Sequence, residues 1–458
     1  MRIVVVGGGI SGLAAAYRLV QRGAEVTVVE RADRLGGKLH TDEIAGGPVE
    51  LGAEAFAVRD TEGMPSAAVE LVEAVGLGDS VVYPALQRAA IAADGQLRPL
   101  PGGTLMGVPG NLGLLAGVAA VDPGRDSDDG HPVLPAGADV AVGTLVRARL
   151  GDQIVDRLVD PMLGGVYAGR ADDLSIDVTM PALAAACRDE HTLTGAVRAA
   201  LARRPDDAGP IFGTLVGGLG RLVAATVTAI AGADIRLGLP VRSVIGVGPG
   251  WQLTVGDTRR PELLDADAVI LAVPARPAGR LLSDVHPAAA ELVGRLDYAS
   301  VALVTLALPE VDLPELSGFL VAATEGYAVK AATFFDRKWA HLRRAGVTVV
   351  RASIGRYGDE SVLQRDDADL AVLAADELAA LLGRPLPAPV DTRVHRWGGA
   401  LPQYAPGHLD RVAAARSALP PTVAVAGAAY DGVGIPACVR SGFTAADDVL
   451  RGMRFCED

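Results

Sequence analysis

The first sixty residues combine two short apolar runs with a glycine loop and a helical pattern. Residues 3–6 are apolar and β-branched, which is typical of a parallel strand buried on both faces. A G-x-G-x-x-G motif follows at residues 7–12, and residues 13–20 continue with helical spacing. A second strand pattern, residues 25–30, ends in an acidic residue roughly 20 residues after the glycines. This order predicts a Rossmann-type nucleotide-binding segment over residues 1–58.

The glycine loop predicts where a dinucleotide would bind. Glycines permit the tight turn, the approach of a pyrophosphate and close packing of helix on strand, while the helix N-terminus directs free N–H groups at the anion. Glu30 is suited to bind both ribose hydroxyls and would repel a 2′-phosphate. These residues leave both NAD and FAD open. The predicted contacts are Gly7, Gly8, Gly9, Ile10, Ser11, Gly12 and Glu30.

The middle of the chain, from about residue 65 to 200, shows mainly helical periodicity. Amphipathic stretches at 67–79 and 142–163 flank a polar, Gly/Pro-rich segment at 122–132 that is typical of an exposed loop. The apolar stretch 105–121 is interrupted by proline and glycine and is too short to cross a membrane. It predicts a helix that is either buried in the core or in contact with substrate or a membrane surface.

Strand patterns return after residue 210 and again after residue 300. We therefore predict an α/β and α+β protein: a discontinuous Rossmann-type nucleotide-binding domain, a mainly helical insertion and a mixed-sheet substrate-binding domain. The predicted strands are 234–248, 251–257, 267–275, 301–308, 330–335 and 347–355, followed by a helix at 366–383 and a final strand, glycine turn and helix at 423–453. The predicted boundaries are 1–58, 205–275 and 395–458 for the nucleotide-binding domain, 65–200 for the insertion and 276–394 for the substrate-binding domain.

Composition limits the function classes. A chain of 458 residues exceeds one typical core, and its formal net charge of −13 argues against a nucleic-acid partner and disfavours acidic lipids. The three cysteines, Cys187, Cys438 and Cys456, form neither a metal-ligand spacing nor an even disulfide framework. This cysteine usage and the lack of a signal-peptide pattern favour the cytoplasm. No metal site and no Ser/His/Asp arrangement are predicted.

The segment after Glu30 distinguishes between the two nucleotides. Its pattern R-x-x-R-L-G-G-K, residues 31–38, resembles the flavoprotein amine-oxidase superfamily, in which a similar segment runs past the FAD diphosphate. The segment "DPMLGGVYAGRADDLSID", residues 160–177, is similar to one in the oxygen-dependent coproporphyrinogen and protoporphyrinogen oxidases. The resemblance extends over essentially the whole chain, through the stretches 330–339, 395–408 and 426–442.

This resemblance implies a flavoenzyme of haem biosynthesis. It implies non-covalent FAD, a porphyrinogen substrate that loses six electrons and six protons, O₂ as the acceptor and H₂O₂ as the product. Oxidation of coproporphyrinogen III to coproporphyrin III is favoured, with protoporphyrinogen IX oxidation as the alternative. An amine oxidase, a carotenoid-type desaturase and a non-catalytic flavin-binding scaffold are more distant alternatives. Transient contact with a downstream chelatase is a further expectation.

The resemblance also implies how the substrate is held. Tyr167 and Gly169 would position the macrocycle, without a dedicated acid or base, because the pyrrole nitrogens can release protons. Arg170 stands where many relatives carry an acidic or neutral residue, so substrate preference is less firmly implied than the fold. Candidate cations for the propionates, which could equally be solvated side chains, are Arg59, Arg170 and Lys330, followed by Arg337 and Lys338.

The remaining predicted residues are flavin contacts. Trp397 is either a flavin neighbour or a structural tryptophan, and Cys438 is either a small buried residue or a covalent attachment point. The glycine turn before the last helix would direct N–H groups at the reduced flavin ring. The contacts implied by the resemblance are Arg31, Gly36, Gly37, Lys38, Gly52, Ala53, Glu54, Ala55, Val241, Trp397, Val433, Gly434 and Ile435.

Overall fold

The computed structural model describes residues 1–60, 62–115, 117–122, 124–203 and 209–457. Residues 205–208 of the predicted segment 205–275 lie outside this part, and so does the end of the predicted segment 395–458, at Asp458. The side chain of Cys456 is also outside it.

The chain consists largely of runs of strands and runs of helices. The strands are β1 Arg2–Val6, β2 Glu25–Val29, β3 Thr41–Ile44, β4 Gly47–Glu50, β5 Phe56–Ala57, β6 Val81–Val82, β7 Ala89–Ala93, β8 Gln96–Pro99, β9 Thr104–Leu105, β10 Val108–Pro109, β11 Phe212–Leu215, β12 Asp234–Arg236, β13 Val241–Val247, β14 Gly250–Asp257, β15 Arg260–Ala266, β16 Ala268–Leu271, β17 Tyr298–Pro309, β18 Gly318–Val321, β19 Val329–Phe334, β20 Val347–Ile354, β21 Asp391–Pro402 and β22 Val423–Val425. The helices are α1 Ile10–Gln21, α2 Ala67–Ala74, α3 Val142–Leu150, α4 Asp152–Ile154, α5 Asp160–Tyr167, α6 Ile176–Thr179, α7 Pro181–Cys187, α8 Leu193–Ala202, α9 Gly220–Ala229, α10 Ala275–Leu282, α11 Pro287–Gly294, α12 Phe335–Lys338, α13 Asp367–Leu381, α14 His408–Ala418, α15 Ala428–Asp431 and α16 Ile435–Glu457.

A five-stranded parallel sheet, in the order β12-β2-β1-β16-β22, forms the core of the region in which nucleotide binding is predicted. β1 lies at its centre between β2 and β16, and residues 3–6 are buried as their apolar pattern predicted. Helices α1 and α16 cover one face, where Leu13 and Val449 join the same apolar cluster as Val5. This arrangement confirms the Rossmann-type core.

A seven-stranded mixed sheet, in the order β21-β17-β20-β19-β18-β7-β8, forms the second large layer. Its neighbouring strands are antiparallel except for β18 and β7, which are parallel. α13 packs on one face through Leu370 and Leu378. The patterns at 301–308, 330–335 and 347–355 predicted three of these strands, and the mixed sheet is confirmed.

Both edges of the mixed sheet come from segments that the sequence patterns assigned elsewhere. β7 and β8 lie inside the interval 65–200, which is predicted to be mainly helical, and β21 continues into the segment predicted from residue 395 onward to join the nucleotide-binding domain. The short apolar run in β7 is compatible with either a strand or a buried helix. Its partner β18 is far away in the chain, so no local pattern reports the pairing.

The helical region has its own core, in which α3 to α8 surround Leu158, Leu163 and Met180. A π-helical turn, Val155–Val159, joins α4 to α5. The helix predicted at 105–121 is wrong for the described residues 105–115 and 117–121, which contain β10 and a 3₁₀ turn. Proline lacks an N–H and interrupts a helix, and glycines add to the cost. None of the helices in the described ranges combines the length and hydropathy needed to cross a bilayer.

Candidate active site

The glycine loop between β1 and α1 leaves an open space at the helix N-terminus. Gly7 has φ +107°, and an added Cβ would lie 3.0 Å from Val273 Cγ1. At Gly12 an added Cβ would overlap the Gly7 carbonyl, so helix and strand are in contact. Gly9 differs, because no atom lies within 4 Å of the position its Cβ would take. This space, next to the free N–H groups of α1, fits a pyrophosphate.

Glu30 closes the loop from the end of β2. Its Oε2 accepts a hydrogen bond from Gly8 N–H at 2.7 Å, and its Oε1 accepts one from Ala32 N–H at 2.8 Å. The Glu30 carbonyl accepts a hydrogen bond from Leu239 N–H at 3.0 Å, just before β13 begins at Val241. Glu30, the predicted ribose ligand, and the start of β13 at Val241, another predicted cofactor contact, are therefore close to each other.

The second glycine pair lies directly against the first loop. Gly36 N–H donates to the Gly8 carbonyl at 2.8 Å, and an added Cβ at Gly37 would lie 3.2 Å from Gly9 Cα. Arg31, at the start of the same segment, is exposed. The two glycine segments predicted to pass the diphosphate are thus brought together through their backbones.

Trp397 and the segment 51–55 meet next to Lys38. Ala53 N–H donates to the Lys38 carbonyl at 3.1 Å. Trp397 Nε1 donates to the Leu51 carbonyl at 2.6 Å. An added Cβ at Gly52 would overlap the Lys38 carbonyl and lie 3.3 Å from Trp397 Cζ2. Trp397 also packs against the apolar cluster that contains Ala168. Predicted flavin contacts from distant segments therefore converge at this tryptophan.

Glu54 is the centre of a buried ion-pair cluster. One carboxylate oxygen contacts Lys338 Nζ and the other contacts the Arg351 guanidinium. Arg351 also donates to the Glu50 carbonyl at 3.1 Å, and its guanidinium carbon lies 5.0 Å from the Phe335 ring centre. Burial raises the pKa of the Glu54 carboxyl, but Lys338 and Arg351 outweigh burial and lower this pKa to about 2. Glu54 thus supports the predicted cofactor segment, and each of its oxygens contacts a cation.

The turn that ends α5, residues 167–169, has a strained backbone. Ala168 has φ +52°, in the left-handed region, which costs about 1–2 kcal/mol for a residue with a Cβ. Its carbonyl accepts a hydrogen bond from Tyr357 N–H at 2.7 Å, and its N–H donates to the Gly164 carbonyl at 3.0 Å. Strain that neighbours hold in place is typical of functional sites.

Gln403 supports the same turn from behind. Its Nε2 donates to the carbonyls of Tyr167 at 2.9 Å and Leu401 at 3.0 Å, which uses both amide hydrogens. The buried Oε1 faces Gly169, where an added Cβ would overlap it. The Tyr167 ring packs edge-on against Tyr404, with ring centres 5.9 Å apart, inside the helical core. The turn therefore presents backbone, and not the predicted tyrosine ring, to its surroundings.

A cleft with a volume of about 420 Å³ opens in front of this turn. Its walls come from α5 and the residues that follow it, from the ends of β18 and β19, and from the loop after β20. Charged groups of both signs line it together with glycine backbone. The lining residues include Gly164, Gly169, Arg170, Lys330, Arg356 and Tyr357.

The arginines of the cleft differ in how far they are neutralised. Arg147 forms ion pairs with three carboxylates of the helical region, Asp152, Asp156 and Asp172. Arg356 instead donates to the main-chain carbonyls of Tyr327, at 2.9 Å, and Val321, at 3.4 Å. Burial lowers the pKa of its guanidinium. Arg170 is exposed at the rim. Arg170 and Arg356 can therefore meet an anion, whereas Arg147 is already paired.

Lys330 enters the cleft from a β-bulge. The register between β19 and β20 shifts by one residue at this position, and such bulges redirect side chains. The residue is 4% exposed, and its Nζ donates to the Gly164 carbonyl at 3.2 Å. Burial lowers the pKa of this ammonium to about 7, and Arg356 and Arg351 add to the shift.

Three other predicted substrate cations lie outside the cleft. Arg59 is exposed and donates to a backbone carbonyl in its own loop at 2.7 Å. Arg337 forms ion pairs with two exposed acidic residues, and Lys338 is the partner of Glu54. The structure brings only two of the predicted cations to the cleft, Arg170 and Lys330.

The glycine turn before α16 reaches the same region. Val433 packs against the helical cluster that contains Tyr167, and Ile435 is buried at the start of α16. Cys438 is buried in the first turn, with its Sγ 3.7 Å from the Gly432 carbonyl. Burial raises the pKa of this thiol, as in unreactive structural cysteines.

Sequence reasoning missed Arg356, Tyr357 and Gln403. Gln403 lies within the stretch 395–408 that carries the resemblance, so its position in that motif was a usable signal. No pattern marks Arg356 and Tyr357, because they reach the cleft only through the pairing of β20 with β17 and β19.

Comparison with known proteins identifies the family. The model of the flavin-containing amine oxidoreductases matches residues 10–450. The chain belongs to this family. It is 42% identical over 457 residues to the coproporphyrinogen III oxidase of Mycobacterium tuberculosis, with 98% of this chain and 97% of the relative covered. The coproporphyrinogen III oxidase of Bacillus subtilis is 31% identical over 475 residues, with the same shares covered.

A solved structure from Exiguobacterium sp. 255-15, whose given name is that of a protoporphyrinogen oxidase, has the same fold. It superposes with a TM-score of 0.85 at 31% identity, and 98% of each chain is covered. These relatives confirm the resemblance found in the sequence. The chain is accordingly an oxidoreductase of a flavin-containing family.

The residues present fit a flavin nucleotide. The open space over Gly9, the carboxylate at Glu30 and the small residues around Trp397 provide for a pyrophosphate, a ribose and a planar ring in turn. In the described ranges no three side chains of the metal-binding types converge on one point. The glycine backbone and the charged side chains that line the cleft can bind and position a ligand.

Proposed function

We propose that the enzyme oxidises coproporphyrinogen III to coproporphyrin III in haem biosynthesis, with O₂ as the acceptor and H₂O₂ as the product. The observation that carries this proposal is the cleft in which glycine backbone at residues 164 and 169 adjoins Arg170 and Arg356. A wall without side chains allows a broad macrocycle to approach closely, and arginines suit the carboxylates at its edge. The relatives named coproporphyrinogen III oxidases support this substrate.

The proposed cofactor is non-covalent FAD, held by the glycine loop, Glu30, Gly36 and the residues around Trp397. When bound, FAD supplies the acceptor for hydride from the substrate. The Glu30 carboxylate would accept hydrogen bonds from the ribose, and the N–H groups of α1 would face the pyrophosphate. Cys438 remains a buried thiol in this proposal.

The proposed work of the chain is to position the substrate. Gln403 and Tyr357 hold the turn at 167–169 so that its backbone supports the macrocycle from one side. Arg170 and Arg356 would donate charge-assisted hydrogen bonds to propionates. Fixing a reactant in this way lowers the barrier, because its orientation no longer has to be found during the reaction.

Purified enzyme reconstituted with FAD tests the proposal. Anaerobic addition of coproporphyrinogen III is expected to bleach the flavin absorbance. Admission of air is expected to restore it, with release of fluorescent porphyrin and H₂O₂. A yellow protein that the substrate never bleaches, and that forms neither product in air, would contradict the proposal.

Protoporphyrinogen IX oxidation is the second candidate, because the structure with TM-score 0.85 carries that name. Coproporphyrinogen bears more carboxylates, so one additional charge-assisted pair would favour it by about tenfold in kcat/KM. Arg170→Met is expected to reduce that preference. Equal kcat/KM values for the two porphyrinogens, unchanged in Arg170→Met, would assign the enzyme no carboxylate selectivity at this position.

A further inference from the structure

Lys330 has surroundings that a simple anion partner does not need. Its side chain is almost fully removed from solvent and is directed by the bulge into the cleft. Its polar contact is the Gly164 carbonyl, and among the described carboxylates none forms an ion pair with it. An ammonium in such a position lacks the counter-charge that normally accompanies burial.

Gly164 connects this amine to the strained turn. The Gly164 carbonyl accepts hydrogen bonds from both Lys330 Nζ and Ala168 N–H. An added Cβ at Gly164 would lie 3.6 Å from the Gly169 carbonyl. The amine and the backbone wall therefore adjoin each other, and a substrate that fills the cleft lies against both.

The charged groups around Lys330 favour its neutral form. Arg351 and Arg356 act on it as like charges, and burial adds to their effect. The nearby carboxylates are engaged, because Asp160 accepts a hydrogen bond from a backbone N–H at 2.8 Å and Glu377 accepts two, at 2.7 and 3.1 Å. The cations of α12 pair with acidic partners of their own. With a pKa of about 7, a large fraction of the amine is neutral at neutral pH.

We propose that Lys330 is the proton acceptor of the oxidation, an inference that rests on the proposed function. Each two-electron oxidation removes a hydride from a meso carbon, with the bound flavin as its acceptor, and leaves a cation on the tetrapyrrole. Loss of one proton, from nitrogen or carbon, then gives the neutral oxidised macrocycle. The lone pair of Nζ binds that proton, and the resulting ammonium returns it to water in the open cleft. The role of Lys330 thus changes from anion partner to base.

The first test reads the protonation of the amine directly. The chain has three lysines, Lys38, Lys330 and Lys338, so the FAD-loaded enzyme labelled at lysine Nζ gives three NMR signals that single lysine-to-arginine variants assign. The Lys330 signal is expected to titrate near pH 7. A Lys330 signal that stays charged far into the alkaline range would overturn the inference.

The second test compares two substitutions kinetically. Lys330→Arg keeps a charge and Lys330→Met removes it, but neither residue can accept a proton near pH 7. Both variants are expected to lose about 100-fold in kcat with little change in KM, and to lose the rise of kcat through about pH 7. An anion partner would behave differently: the arginine variant would keep kcat and KM, and the methionine variant would raise KM alone. That result overturns the inference.

A matched control and the FAD content complete the design. Arg337→Met removes a cation outside the cleft and is expected to keep the wild-type pH profile. Flavin absorbance per chain verifies that each variant is folded and loaded. If the wild-type enzyme forms no porphyrin, the proposed function fails and the inference falls with it. If it forms porphyrin and both Lys330 variants keep the pH-dependent rise, only the role of Lys330 is wrong.

Discussion

Lys330 and Lys338 are two largely buried lysines on consecutive elements, and they have opposite environments. The Lys338 side chain is 23% exposed and pairs with Glu54, which Arg351 neutralises from the other side. Lys330 is 4% exposed, and within the part of the chain that the structure describes its Nζ donates to the Gly164 carbonyl and contacts no carboxylate. Because an unpaired buried charge costs several kcal/mol, the first lysine stabilises the fold while the second weakens it. Pairing makes a lysine structural, whereas the lack of a partner keeps it available for chemistry.

The largest expected effect comes from breaking the paired cluster. Glu54→Gln leaves Arg351 and Lys338 buried without a counter-charge and is expected to lower the free energy of unfolding by about 3–5 kcal/mol. Urea unfolding of the FAD-loaded enzyme measures the change. Glu43→Gln, at an exposed position, is the matched control and is expected to stay within about 0.5 kcal/mol. Wild-type stability in Glu54→Gln would refute the structural role of the cluster.

The same cluster predicts an acid limit. The pKa of Glu54 is lowered in the folded state, so its contribution is fully present above its ordinary pKa of 4.5 and is lost as the pH falls towards about 2. Unfolding free energies measured between pH 5 and 2 are expected to converge for wild type and Glu54→Gln. A difference between them that persists undiminished at the lowest pH would contradict this assignment.

The next prediction concerns the glycine backbone at residues 164 and 169, which lines the cleft next to Lys330. In Gly169→Ala the new Cβ would overlap Gln403 Oε1, whose amide is held by two carbonyls. We expect a loss of about 1–3 kcal/mol in stability and a 10- to 100-fold lower kcat/KM. Gly164→Ala is the control for stability, because its Cβ meets atoms only at ordinary contact distance. Equal destabilisation by the two substitutions would show that Gln403 does not constrain Gly169.

Replacing the two lysines should change stability in opposite directions. Lys330 has a lowered pKa, so the unfolded chain binds more protons between pH 7 and 10.5 and wild-type stability rises with pH across that window. Lys330→Met removes the charge and is expected to stabilise by about 1–2 kcal/mol below pH 7, with the gain shrinking towards pH 10.5. Lys338→Met is expected to destabilise by a similar amount. Thermal unfolding at pH 6 and pH 9 compares them, and a pH-independent gain for Lys330→Met would contradict the environment described.

The smallest effect on stability is expected away from both lysines, at the nucleotide loop. Gly9 has φ −71° and open space beside it, so Gly9→Ala is expected to change stability by less than about 0.5 kcal/mol. It should lower FAD affinity at least tenfold, because the added methyl group occupies the space assigned to the pyrophosphate. Gly232→Ala, also in open space, is the control. Unchanged FAD affinity in Gly9→Ala would remove the pyrophosphate from this position.

The sequence predicted the parts of the molecule whose physics is local. The pattern of residues 3–12 predicts a buried strand, a tight turn and the start of a helix, and the structure contains all three. The stretch 160–177 carried the family resemblance, and the relatives bear it out. The prediction of a helix failed at the described residues 105–115 and 117–121. It gave too much weight to their apolar composition and too little to the proline and glycines, which interrupt a helix.

The cleft was only partly predictable. Arg170 and Lys330 were named from the sequence, but so were Arg59, Arg337 and Lys338, which lie elsewhere. A basic residue has the same local pattern whether it is solvated, paired or buried beside a ligand. Its partners come from other segments, and one sequence does not state which segments meet.

The amino-acid sequence by itself determined the nucleotide loop, the strand patterns and the family, because turns, periodicity and close backbone approach depend on neighbouring residues. Only the tertiary structure decided that Lys338 has a carboxylate partner, whereas Lys330 has none among the described residues. Sheet pairing brings Glu54 and Arg351 to one lysine and Gly164 to the other across long stretches of chain. Electrostatic environment depends on distance in space and on burial, and neither quantity exists before the chain folds.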